Sequence, residues 1–247
     1  MSEAEGGGES LPKLSIVFAY YENPQMLDFQ WREIAAYPSS IQSELEVIVV
    51  DDGSPLFPAV EVPRPKGLPA VSIFRIDQDT PWNQDAARNI GAHEARSPWL
   101  LLTDIDHVIP ASSLCRIFEG NQITDSYYTL GRVKIHGQGP THPHPNSYLM
   151  TKKLYWDIGG HDEDFAGVYG KDFLFRKRAL RRSSEVHLPD IVLARVGTAA
   201  VKDAGTTTIT RENTLLRRVW GYLLEWLKAI KLWRGVQTLS CPYEKVL

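Results

Sequence analysis

"SPWLLLTDIDHVIP", residues 97–110, runs an apolar stretch into two aspartates separated by one isoleucine. In an extended chain residues i and i+2 project from the same face, so Asp104 and Asp106 would crowd one spot and repel each other unless a cation lay beside them. The pattern predicts a buried strand that ends at a site for a divalent metal.

The residues before it alternate between strand and helix patterns. Leu14–Tyr20 is an unbroken run with the length of a buried strand, and Pro24 suits the first turn of a helix through "QMLDFQWREIAAY". "SELEVIVVDDGSP" is a second strand that closes on acid, glycine and a turn proline. A Pro-rich connector over residues 56–69 leads to a third strand, "AVSIFRI", and helical spacing of small residues begins at Asn83. After residues 97–110, "PASSLCRIFEG" starts its helix at Pro110 and stops it at Gly120. Such alternation predicts parallel βαβ units with right-handed crossovers, whose ligands bind beyond the carboxyl ends of the strands. Asp51 with Asp52 and Asp104 with Asp106 both fall at such ends, which joins them into one candidate site.

Beyond residue 120 the pattern changes. "DSYYTLGRVKI" and "NSYLMTKK" read as strands on either side of the loop "HGQGPTHPHP"; a Gly-broken acidic loop then feeds a helix, "DIVLARV" is a further strand, and a helical pattern runs from about Asn213 to Trp233. Residues 1–12 are expected to form a disordered tail, 13–210 one domain, and 211–247 a helical extension packed on it. A chain of 247 residues with 43% hydrophobic content supports an ordinary core. Its net charge of −3 and pI near 6.2 supply no basic field, which argues against nucleic acid as a partner. The two cysteines, Cys115 and Cys241, form no metal-type cluster and suit a reducing, cytoplasmic setting. With no apolar leader and no run of about 18 apolar residues, neither secretion nor a membrane span is expected.

Over roughly residues 13–182 these pieces together resemble a family 2 glycosyltransferase on the GT-A fold. "FAYYENP" is similar to the family's opening strand and Tyr-bearing turn, "VIVVDDGSP" to its nucleotide-side motif, and "AARNIGAHEARSPWLLLTDIDHVIP" to the Arg-Asn helix leading to its DxD motif. "GGHDEDFAGVYGKDFLFRKRAL" resembles its GG-x-DE segment and acceptor-side ED loop.

The resemblance implies an α/β fold of GT-A type, a Rossmann-like, mostly parallel sheet flanked by helices, to which the C-terminal sequence pattern adds an amphipathic helix. It implies an inverting, metal-dependent transferase of hexosyl or N-acetylhexosaminyl type. The donor would be a nucleotide sugar, a UDP-sugar first, and the acceptor a hydroxyl of a saccharide or lipid-linked saccharide. By position, Asp106 would be the direct ligand of Mn²⁺ or Mg²⁺, with Asp104 nearer the ribose or a coordinated water. Asp52 would accept from the nucleotide base and Tyr21 lie against its ring. Arg88 would offset diphosphate charge or hold the DxD carboxylates, and Asp172 would be the general base. Asp162 and Glu163 look like acceptor-side or loop-ordering residues, while Asp164 reads as solvated.

The chain departs from the family pattern at two points. Lys171 stands where the family carries Glu, and its ammonium would depress the pKa of Asp172 if the charges approached. A third protein ligand for the metal, often His, has no convincing match in His187 or Asp203. His136, His142 and His144 sit among prolines that break their register, so they read as a flexible acceptor-side loop rather than a ligand set. These departures keep open the alternative of a catalytically degenerate nucleotide-sugar or carbohydrate-binding module. Before the Arg88 helix, Trp82, Asn83 and Gln84 could line the donor pocket, with capping by Asn83 the simpler reading; Asp85 has no assigned role.

The C-terminal pattern places Leu216, Val219, Trp220, Leu223, Leu227 and Ile230 on one stripe, among Arg217, Arg218, Lys228, Lys231 and Arg234. Packing over the sheet or in a homo-oligomer is the expected use. Peripheral contact of residues 213–234 with a membrane is the alternative.

Overall fold

The computed structural model describes residues 11–135, 140–205 and 214–247. The first ten residues of the expected tail, His136, Asn213 and the boundary near residue 210 lie outside the described residues.

β1 (Leu14–Tyr20) and β2 (Leu45–Asp51) are buried along almost their whole length. Such continuous apolar runs belong to central parallel strands covered on both faces. Ile16, Phe18, Val47 and Val49 face a layer built by α1 (Pro24–Ala35) through Met26, Leu27, Trp31 and Ile34. The alternate residues, Val17, Ile48 and Val50, face Ala86, Ala87 and Ile90 of α2 (Gln84–Glu94). Short side chains on that helix explain why the small-residue pattern packs close to the sheet. A single helical turn at Ser39–Gln42 precedes β2.

β3 (Ala70–Ile76) and β4 (Trp99–Asp104) complete a parallel core in the order β3-β2-β1-β4. Its register pairs Ala19 with Asp104 and Tyr20 with Asp51, so both acidic clusters stand on one edge of the sheet. The second half adds β5 (His107–Val108), α3 (Ala111–Glu119), β6 (Ser126–Lys134), β7 (Pro140–Thr141), β8 (Tyr148–Thr151), α4 (Lys152–Asp157), α5 (Phe173–Arg182) and β9 (Ser184–Arg195). β8 enters antiparallel between β4 and β6, so the sheet is mixed beyond its parallel core.

Three boundaries differ from the sequence reading. The strand expected over "NSYLMTKK" stops at Thr151, whose hydroxyl accepts from Leu154 N–H and caps α4. The strand expected at "DIVLARV" begins earlier, at Ser184, and carries an irregularity around Pro189 where its register against β6 shifts between Leu130 and Gly131. The C-terminal extension is more than the helix α6 (Leu215–Ala229): the chain returns to the sheet and Tyr243–Lys245 pairs antiparallel with β3 as β10.

Candidate functional site

The turn after β2 divides its two aspartates between different tasks. Asp51, 1% exposed, accepts from Ser54 N–H and Ala59 N–H at 2.8 Å each and so ties the turn together. Asp52 continues the ladder, donating from its backbone to Tyr20 O at 2.9 Å. Gly53 has φ +72°, and a Cβ there would lie 2.8 Å from Asp79 N, so only glycine lets the Gln78–Asp79 loop cross at this point. Tyr21 Oη donates to Asp79 Oδ2 at 3.1 Å. Tyr21 and Asp52 thus flank one loop at the ends of adjacent strands, outside the lining of the neighbouring cavity that holds Asp104, Asp106 and Asp172.

That cavity, of about 470 Å³, is lined by Asp104, Asp106, Asp172, His144, Trp82 and Tyr169 among others. Arg88, 1% exposed on α2, is the hub beneath it. Its Nη2 lies 2.6 Å from Asp104 Oδ1 and its Nη1 2.9 Å from Asp172 Oδ1. Burial works to raise the pKa of Asp104, but the Arg88 guanidinium together with His144 and His107 holds it below the usual carboxylate range. Burial of Asp172 prevails instead: despite Arg88, its pKa is raised. Gln84 Nε2 donates at 2.8 Å to the same Asp172 Oδ1. Asp172 occupies the N-cap position of α5, yet its carboxylate makes no capping bond because it is turned to Arg88 and Gln84.

Asp104 and Asp106 do not share one strand's pleat. β4 ends at Asp104, and Asp106 sits in the following turn, which is clamped by Gln30 Nε2 donating to Ile105 O and His107 O at 2.7 and 2.8 Å. Arg132 Nε donates to His107 Nε2 at 2.9 Å, and His107 Nδ1 lies 2.6 Å from Asp106 Oδ1. His144 Nε2 lies 3.6 Å from Asp104 Oδ2, and its ring lies tilted against that of His107 with centroids 4.4 Å apart. Burial lowers its pKa to about 4, so the imidazole is neutral near pH 7.

Among the described residues no group of three or more His, Cys, Asp or Glu forms a ready metal cluster. Two carboxylates on one cavity are hard oxygen donors of the kind Mg²⁺ or Mn²⁺ takes when phosphate oxygens complete its shell, so the donor set fits such an ion. His187, within 3.2 Å of Thr129 Oγ1, and Asp203, which accepts from Gln25 N–H and Met26 N–H at the start of α1, are occupied elsewhere. His142 is not among the residues lining the cavity.

Lys171 does not act on Asp172 as the sequence suggested. Its ammonium lies 2.8 Å from Glu225 Oε2 and 4.3 Å from the Tyr222 ring, both on α6, so the expected depression of the base gives way to the upward shift from burial. Asp162 and Glu163 are also taken up by the chain itself. Glu163 accepts from Asn89 Nδ2, Leu239 N–H, Ser240 N–H and Ser240 Oγ at 2.6–2.7 Å. Asp162 meets Lys228 Nζ at 2.8 Å and Gln237 N–H at 3.2 Å. Of the two readings open to them, this is the loop-ordering one. Asp164, expected to be solvated, binds Lys228 at 2.7 Å, Trp233 Nε1 at 3.1 Å and Arg234.

Trp82 lines the cavity with its ring 4.5 Å from Tyr169. Asn83 holds the N-cap position of α2 without a capping bond; its Nδ2 faces Cys241 Sγ at 3.6 Å. Asp85 lies 2.9 Å from His161 Nδ1, and His161 Nε2 is 2.6 Å from Tyr148 Oη, which extends the buried polar layer behind Arg88. Sequence reasoning set His144 aside and missed His107, Arg132 and Gln30. For the first two the only signal was their proximity to the aspartates and the His-Pro repeat.

The mixed α/β sheet flanked by helices, with an acid-lined cleft on the carboxyl edge of its parallel core, matches the fold of solved GT-A glycosyltransferases. The model of the family described as "Glycosyl transferase family 2" matches residues 15–183, and the chain belongs to that family. No curated protein matches it by sequence. Among solved structures it is similar to TarS 1–349 of S. aureus, at 16% identity and TM-score 0.61, covering 81% of this chain and 66% of that one. The same fragment in complex with UDP-GlcNAc matches at 15% identity and TM-score 0.60, covering 81% and 67%. The mannosyltransferase PcManGT from Pyrobaculum calidifontis, in complex with GDP-Man and Mn²⁺, matches at 18% identity and TM-score 0.55, covering 92% and 66%. The chain therefore spans just under two thirds of the first TarS fragment, and at these identities the likeness is one of fold.

Proposed function

We propose that this chain is an inverting, metal-dependent glycosyltransferase that moves a sugar from a nucleoside diphosphate sugar, UDP-linked first, to a hydroxyl of a saccharide or lipid-linked saccharide. The observation that carries the reading is the common opening of Asp104, Asp106 and Asp172 on one cavity, with Arg88 joining two of them from below. Solved neighbours bound to UDP-GlcNAc and to GDP-Man with Mn²⁺ support a nucleotide-sugar donor and a divalent ion.

In this reading Tyr21 and Asp52 receive the nucleotide base, and the diphosphate runs from there toward Asp104 and Asp106. Asp106, oriented by His107, and the Oδ2 oxygen of Asp104 would hold Mn²⁺ or Mg²⁺. A bound ion supplies positive charge against the charge that grows on the leaving diphosphate. Asp172 removes the proton of the acceptor hydroxyl as the new bond forms. Arg88 and Gln84 both donate to its Oδ1, which fixes the carboxylate and directs Oδ2 to the acceptor. Burial raises its pKa and so makes it a stronger base, against the lowering effect of the Arg88 charge. Trp82 and Tyr169 form an apolar wall suited to a sugar face.

The binding-module alternative drew its support from Lys171 and from the missing third metal ligand; the pairing of Lys171 with Glu225 answers the first, and the second is left to the experiment. Thermal shift across a panel of nucleotide sugars, with and without Mn²⁺, followed by turnover of the stabilising donor in wild type, Asp106→Ala and Asp172→Asn, tests the assignment. Transfer or donor hydrolysis in wild type, lost in both variants with the fold intact, is expected. Binding without turnover in all three would establish the module instead.

A further inference from the structure

α6 is amphipathic in the reverse sense to a helix docked on a core. Toward the domain it turns Arg217, Gly221, Leu224, Glu225 and Lys228; a Cβ on Gly221 would lie 2.4 Å from Val168 Cγ1, so the helix backbone rests directly on the protein. Lys228 is held by Asp162 and Asp164, and Glu225 by Lys171. Outward it turns Leu216, Val219, Leu223, Trp226 and Ile230, with Leu216 82% and Trp226 56% exposed. The apolar surface continues through Leu232 and Trp233.

The charge around this face is distinctive. In a chain of net charge −3, residues 214–235 carry Arg217, Arg218, Lys228, Lys231 and Arg234 against Glu225; Lys228 and Arg234 are paired with Asp162 and Asp164 and Arg217 turns inward, so Arg218 and Lys231 are the cations this segment sets beside the apolar face. A cavity of about 580 Å³ between α5 and α6 adds Lys177 and Arg181 beside Lys231. Exposed tryptophans on an apolar face rimmed by cations are the composition of a helix lying in a membrane interface. Two copies meeting face to face across a two-fold axis would instead press these cations against each other.

We propose that the outward face of α6 seats on an anionic lipid surface, with Trp220, Leu223 and Trp226 entering the boundary between headgroups and acyl chains and Arg218, Arg181 and Lys231 meeting the headgroups. The surface stands independently of the donor reading. Where that reading also holds, the Lys171–Glu225 pair joins the docked helix to the residue preceding Asp172, and so sets the base at a fixed height above the bilayer.

Flotation of the full chain with phosphatidylcholine vesicles, with and without phosphatidylglycerol, tests this. Wild type is expected to float with the anionic vesicles and to be released by salt. Trp226→Glu and Leu223→Glu should each weaken the partition about tenfold or more, with unchanged melting temperature, since each removes a large apolar group from the interface. Arg218→Glu with Lys231→Glu should abolish the preference for anionic lipid. No flotation of wild type with anionic vesicles would overturn the proposal, as would equal flotation with both vesicle types. So would a dimer in sedimentation that Trp226→Glu dissociates while lipid binding is absent. A failed donor reading would appear in the nucleotide thermal shift and leave flotation untouched.

Discussion

Arg88 donates from Nη1 to Oδ1 of Asp172 at 2.9 Å, and does so from a position 1% exposed. The same guanidinium holds Asp104, and Asp85 lies at 4.0 Å. Two carboxylates, Asp104 and Asp172, therefore depend on one buried cation, while Asp85 has His161 as its nearer partner. Arg88→Ala should cost about 3 kcal/mol or more of stability by leaving buried carboxylates unpaired. Arg88→Lys should keep most of the stability and lose activity, because a single ammonium cannot span Asp104 and Asp172 as a planar fork does. Thermal melts beside turnover of the donor would check both.

The pH dependence follows from opposite shifts in two neighbours. A carboxyl whose folded pKa is raised, as in Asp172, contributes stability that is fully present below its unfolded pKa and is lost as pH rises through the folded one. Asp104, lowered by Arg88 and the nearby histidines against the pull of burial, contributes stability above its unfolded pKa that is lost as pH falls through the folded one. For activity the base must be ionised, so the acid limb of kcat/KM should lie above the ordinary aspartate value of 3.8. Replacing Arg88 by Gln should move that limb to still higher pH in whatever fraction folds. A limb at or below the ordinary value would remove Asp172 from the role of base.

The parallel core was legible in the sequence because continuous apolar runs such as Val47–Val50 admit few other uses. The coincidence of Asp52 and Asp104 at strand ends was legible for the same reason, since the register follows from the runs. The pairing of Asp104 and Asp106 was read from the wrong cause: a strand's pleat was expected, whereas a turn clamped by Gln30 brings Asp106 round. Lys171 was read against its chain neighbour, although its partner, Glu225, lies 54 residues away. His144 was discounted for its prolines, and its place over His107 depends on the return of β8 beside β4, which no local pattern encodes. Long-range polar partners were the part the sequence withheld.

The bond between Lys171 and Glu225 should be measurable as a coupling. Lys171 is largely buried and Glu225 partly so, so Lys171→Glu would set two carboxylates together beside Tyr222. A loss of about 2 kcal/mol is expected, with the exchange Lys171→Glu plus Glu225→Lys recovering much of it. If the double variant melts no higher than the worse single variant, the pair does not hold α6 to the Asp172 loop.

Glu163 offers the sharpest separation between an acceptor contact and an ordering role. Its two oxygens receive four donors, three of them from Leu239 and Ser240, in the segment that leads into β10. An acceptor-binding carboxylate would raise the acceptor KM on replacement and leave the melting temperature alone. A carboxylate that orders the chain would do the reverse, because Asn89, the two backbone N–H groups and the Ser240 hydroxyl would lose their acceptor in a buried site. Glu163→Ala should therefore cost about 3 kcal/mol and expose residues 236–247 to limited proteolysis. Glu163→Gln, which keeps the shape but places an NH₂ opposite donors, should recover only part of that. A raised acceptor KM in Glu163→Gln at unchanged stability would restore the acceptor-side reading.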